Sequence, residues 1–213
     1  MGILKSGILG PMKNTTGAVV GRVHRGTNVI TGLYEKSEKH KKNSPKQLAS
    51  QQQFNLLNGF LRNIQQLVDT GFKTMVKHNS PVNAAYSYNY NQAFISSETE
   101  ITLNYPEILF SVGNLEGPES PEITFEEGVL TLSWFKMPQS LYCQYTDRAR
   151  VLIYEPYKRE SIIYDNICER WDCTVALDAQ CFIGSKVHLY MSFCSADGKE
   201  QGNSNYLGLI DVT

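Results

Sequence analysis

Val187-His188-Leu189-Tyr190-Met191-Ser192-Phe193 decides the fold class. Apolar side chains at 187, 189, 191 and 193 alternate with residues that form a second row. A period of two marks a strand with one face in a core, because successive side chains point to opposite faces. Leu130-Thr131-Leu132-Ser133-Trp134 repeats the pattern. Outward from these two stretches, strand signals recur at 98–103, 108–112, 122–125, 129–135, 149–154, 161–164, 171–177, 186–194 and 206–212. Turn signals separate them: Gly113-Asn114, Gly117-Pro118, Glu127-Gly128, Met137-Pro138, Asp197-Gly198 and Gly202-Asn203. Many short strands at regular spacing predict an antiparallel sandwich. His188 falls opposite Val187 and Leu189, which predicts a solvent-exposed strand histidine.

Upstream the period changes. Ser44-Pro45-Lys46-Gln47 reads as a helix start: Ser44 caps, Pro45 suits the first position and Gln47 completes a capping box. Phe54, Leu57, Phe60, Leu61, Ile64, Leu67, Val68, Phe72, Met75 and Val76 then follow in steps of three and four, with a kink expected at Gly71. That stripe must be buried, either on this chain's own sandwich or between subunits. Ser80-Pro81 opens a second helix to about residue 94.

Residues 1–17 read as an irregular Gly-rich arm and residues 17–33 as a β-hairpin turning at Gly26-Thr27-Asn28. Two strands alone are marginally stable, so the hairpin must lean on something. A basic linker follows. Net charge is −1, yet residues 1–78 hold 12 Lys+Arg against 3 acids and residues 79–213 hold 8 against 18. The two parts are electrostatically complementary, which favours head-to-tail attraction between copies.

Signals of chemistry are missing. The four histidines (His24, His40, His78, His188) lie in no metalloprotease or nucleophile motif, and P-loop and dinucleotide-binding glycine patterns are absent. Asp165, Glu169 and Asp172 cluster near Trp171 and read as solvated loop carboxylates, with a cation or sugar site as the alternative. The five cysteines (Cys143, Cys168, Cys173, Cys181, Cys194) have no zinc spacing and read as core thiols. No cofactor, metal or catalytic residue is expected. No apolar run nears the roughly 18 residues of a membrane span, and the start lacks a secretory apolar region. The expectation is synthesis in the cytoplasm without a signal peptide and no membrane contact, with a virion or an assembled extracellular structure as the final address left open.

Residues 117–213 resemble a fibronectin type III or immunoglobulin-like module. The likeness rests on the strand ending in Trp134, the later Arg150-Val151-Leu152-Ile153-Tyr154, and the late pair 187–193 and Ser204-Asn205-Tyr206 around Asp197-Gly198. The whole chain is also similar to a bacterial family of uncharacterised proteins, through Gly7-Ile8-Leu9-Gly10, Gly17-Ala18-Val19-Val20-Gly21, the basic run 36–42, Pro45-Lys46-Gln47-Leu48, Gly71-Phe72-Lys73, Asn83-Ala84-Ala85 and Ser87-Tyr88-Asn89. It departs where Gln51-Gln52-Gln53 stands in place of an arginine-bearing stretch. The resemblance implies no activity.

These readings predict a mainly β chain with a helical segment (α+β). The arm and hairpin span 1–43, the helices 44–96 and an antiparallel immunoglobulin/fibronectin-like sandwich 97–213. The expected function is non-enzymatic: a structural or assembly subunit of a phage virion, tail or filament. Its expected partners are copies of itself or other structural subunits, through Val19, Val20, Val23, Val29, Ile30 and Leu33. The alternatives are nucleic-acid binding through Arg22, Arg25, Lys36, Lys39, Lys41, Lys42 and Lys46, or an adhesive module for protein or glycan.

Overall fold

The computed structural model describes residues 3–4, 10–24, 26–33, 43–76, 80–97 and 100–212. The chain divides into two compact units, Met1–Ser44 and Pro45–Thr213.

The first unit is one antiparallel sheet: β1 (Ile3–Leu4), β2 (Met12–Thr16), β3 (Val19–His24) and β4 (Thr27–Gly32), in that spatial order. The predicted hairpin is β3–β4. Residues 12–16, expected to be irregular, instead add a strand, because Gly17 adopts a positive φ of 58° and reverses the chain into β3. At the other end His24 pairs with Thr27, so Thr27 and Asn28, read as turn residues from the sequence, belong to β4. Gly21 is needed for close approach, since a Cβ there would run into the Met12 carbonyl.

In the second unit, β7 (Glu119–Glu126), β8 (Val129–Phe135) and β11 (Thr174–Asp178) form a three-stranded sheet in the order β11-β8-β7. A four-stranded sheet runs β10-β9-β12-β13, from Glu160–Tyr164, Arg148–Glu155, Ser185–Cys194 and Asn205–Val212. All these pairings are antiparallel. Between the two sheets lies one core, in which Leu130, Leu132 and Trp134 meet Val151, Ile153, Leu189, Met191 and Phe193.

The central pair β9 and β12 is buried on both faces. Leu152, Tyr154 and Tyr190 enter a second core with the helices α1 (Pro45–Asn63), α2 (Gln65–Gly71) and α3 (Pro81–Asn89). The apolar helix stripe therefore packs on this chain's own sheet. Leu57, Leu61, Ile64, Leu67, Val68 and Phe72 are fully buried, while Phe54 and Met75 stay exposed. The helix breaks at Ile64, and its second part, α2, ends at Gly71 before a 3-10 turn at Lys73–Met75. Asn63 anchors the end of α1 to the β9–β10 hairpin: its Nδ2 donates to the Arg159 carbonyl at 2.8 Å and its carbonyl accepts from Ser161 Oγ. Gly71 admits the chain at 110–111, where a Cβ would meet the Phe110 carbonyl.

Residues 108–112 form no strand. Their backbone donors go elsewhere: Leu109 N–H to Asn89 Oδ1, Phe110 N–H to Ser204 Oγ and Val112 N–H to the Gly71 carbonyl. α3 is capped by Ser80, which accepts from Asn83 N–H, but it ends at Asn89. Phe94–Ser96 (β5) then pairs with Ile101–Leu103 (β6).

Candidate interaction surface

Among the described residues, no hydrophobic core cluster includes the first unit's sheet. Among its described residues, Met12 and Gly21 alone are buried. The register Val19↔Gly32, Gly21↔Ile30 and Val23↔Asn28 places Val19, Val23 and Ile30 on one face. These three are 37%, 50% and 58% exposed, and Leu33 beyond the strand end is 49% exposed. Val20↔Thr31 and Arg22↔Val29 set Val20 and Val29 on the opposite face, which Arg22 shares. The six apolar residues predicted for self-association thus split into an apolar face, a mixed face and a terminal Leu33.

The edge is open as well. β4 pairs with β3 only, among the described residues, and its sequence Thr27-Asn28-Val29-Ile30-Thr31-Gly32 holds no charge and no proline. Such residues normally blunt an edge against further pairing. The edge strand β7 shows the contrast: Pro121, a register shift between Glu119 and Glu122, and glutamates at 119, 122 and 126.

Of the predicted polyanion-binding residues, Arg22 and Lys46 are exposed. Arg25, Lys36, Lys39, Lys41 and Lys42 lie outside the described residues. The charge division read from the sequence falls at residue 78, inside the second unit, but the sign difference persists at the structural boundary. Residues 1–44 carry 8 Lys+Arg and 2 acids (+6), and residues 45–213 carry 12 and 19 (−7). In the second unit, Ile123 and Phe125 of β7 pack on the core, while Glu122, Thr124 and Glu126 point outward. Through Thr124↔Thr131, Glu126↔Val129 and Asp178↔Val129 they share a face with Thr131, Val129 and Asp178. This acidic sheet face was missed in the sequence, although Glu122-Ile123-Thr124-Phe125-Glu126 carries its alternation.

The other predicted chemistry has structural uses. Asp165 accepts from Arg150 Nε at 2.7 Å, and Glu169 and Asp172 cap the turn Arg170–Asp172 reciprocally. Trp171 is 51% exposed, with Lys136 Nζ 2.8 Å from its ring centroid and Tyr145 at 4.8 Å. His188 lies opposite Val187 as expected, but it is buried: Tyr105 stacks on it at 4.0 Å and the Tyr206 hydroxyl is 2.9 Å from Nδ1. The exposed reading failed because the segment before residue 108 covers that face. Desolvation lowers the His188 pKa to about 4, so the ring is neutral at pH 7.

All five thiols are free; Cys143 and Cys194 are buried and Cys181 is exposed. Burial pushes Cys168 up to about 11 and raises Cys143 and Cys194, so these thiols stay protonated at neutral pH. Among the described residues, no group of three or more His, Cys, Asp or Glu is placed to hold a metal, and no helix is long and apolar enough to cross a membrane.

A family model matches residues 11–208, nearly the whole chain. The chain belongs to the family of unknown function DUF6266. The match takes in β2, β3 and β4 of the first unit as well as most of the second, so both are part of what defines a DUF6266 chain. No curated protein matches it.

Proposed function

We propose that this DUF6266 chain is a non-enzymatic structural or assembly subunit that associates with copies of itself through its N-terminal sheet. The observation that carries the reading is a sheet that leaves Val19, Val23 and Ile30 exposed on one face and ends in an unprotected edge strand. Apolar area left in water is a driving force for association, at roughly 25 cal/mol per Å² once buried. The +6 and −7 parts supply the attraction between unlike surfaces, and contact between unlike surfaces of identical chains builds rings or filaments. A virion, tail or filament component is the setting that suits such contacts.

The second unit is a fibronectin type III-like sandwich in this reading. Its support is the division into strand orders β11-β8-β7 and β10-β9-β12-β13 around one core containing Trp134. The basic first unit favours nucleic acid as a second reading.

Sedimentation of the full chain at increasing concentration tests the proposal. Oligomers are expected at low salt, weakening as salt screens the charges, and Val23→Lys with Ile30→Lys is expected to give monomers. A full chain that sediments as a monomer at high concentration and low salt defeats the idea. Salt-sensitive binding of DNA by the monomer would favour the second reading.

A further inference from the structure

Two residues that break local rules line the same cleft. The cleft has a volume of about 240 Å³ and lies between α1, β6 and the β9–β10 turn. Gly59 is in the middle of α1, where glycine is the poorest helix former apart from proline. Nothing requires it there for packing: a Cβ on Gly59 would meet no atom within 4 Å. What its missing side chain leaves is room in the cleft.

Arg159, on the facing turn, holds a positive φ of 58°, a conformation suited to glycine or asparagine. Asn63 Nδ2 secures this turn by donating to the Arg159 carbonyl, a bond that any residue at 159 would provide. The Arg159 guanidinium forms no ion pair with a described carboxylate, yet its charge acts on the phenols of Tyr105 and Tyr154, whose ring centroids lie 5.7 Å apart. A strained non-glycine and an uncompensated helix glycine are the local departures that proteins retain at ligand sites.

The chemistry of the walls selects the ligand. Arg159, Tyr105 and Tyr154 bring a cation and two phenols to the lining, and Phe60 brings an apolar ring. Glu100 lines the same cleft and opposes a second negative charge. The volume is below the roughly 300–1,000 Å³ of drug-sized pockets. We propose that this cleft binds a small monocarboxylate with an apolar or aromatic body, its carboxylate on Arg159 and the tyrosine hydroxyls. This site is independent of the N-terminal sheet and of the assembly reading.

Calorimetric titration of the full chain with phenylacetate, phenylacetamide and inorganic phosphate tests it, alongside the variants Arg159→Gly and Gly59→Leu. Phenylacetate is expected to bind, with the amide and phosphate at least tenfold weaker. Both variants are expected to keep or raise the melting temperature, since each replaces a residue that suits its backbone poorly, while weakening phenylacetate at least tenfold. No heat from phenylacetate at millimolar concentration overturns the proposal. Equal binding of the amide removes the role of Arg159, and equal binding of phosphate overturns the monocarboxylate assignment. A lower melting temperature in Arg159→Gly would show that the arginine is there for the fold.

Discussion

The sheets of the two units are built from similar β-prone sequence, yet they differ in what they bury. In the first unit, Val23 stands between Arg22 and His24 as a residue of a half-buried strand should, yet both it and Ile30 remain half exposed. In the second, β9 and β12 are buried on both faces, one under helices and one under the partner sheet. The difference is one of cover. A strand pattern states which side chains want burial, and a second layer must supply it. The second unit supplies its own, and in our reading another copy supplies the first.

The largest expected effects lie in the covered unit. Asp147→Ala strands the Arg170 guanidinium, whose Nε is 3.1 Å from the carboxylate with both side chains 5% exposed or less. Breaking such a buried pair costs about 3–5 kcal/mol. Phe60→Ala removes a ring that meets Tyr154 edge-on at 4.8 Å, also for about 3–5 kcal/mol. Urea denaturation checks both, and a cost below about 1 kcal/mol for Phe60→Ala would undo the two-core account.

Acid comes next. The folded His188 pKa lies near 4, below the ordinary histidine value of 6.5, so the unfolded state binds more protons between these values. Stability is full above pH 6.5 and falls toward pH 4, by at most about 3 kcal/mol in total. His188→Phe should flatten that slope in denaturation series from pH 7 to 4; an unchanged slope would place the titration elsewhere. Ser80→Ala removes the cap of α3 and should cost about 1 kcal/mol by the same measurement.

Smallest of all, Ile30→Ala should change the unfolding free energy of the second unit by less than about 0.5 kcal/mol while shifting the association equilibrium seen in sedimentation. A large loss of stability there would erase the contrast between the units.

Much of the second unit was legible. The strand at Val129–Phe135 was placed to the residue, and the helix start at Pro45 followed from its capping residues. Both rest on local rules: alternation, capping and turn chemistry act within a few residues. The segment at 108–112 was misread as a strand because its donors go to Asn89, Ser204 and Gly71, remote in sequence. The burial of His188 was missed for the same reason, since Tyr105, which covers it, is 83 residues away.

By itself, then, the sequence determined which residues alternate, where helices begin and how charge divides along the chain. Tertiary structure alone decided which faces are covered, that Gly71 admits a neighbouring segment, and that Gly59 and Arg159 share a cleft. Periodicity is written locally, whereas cover and juxtaposition depend on contacts between residues far apart in the chain, and no single stretch encodes them.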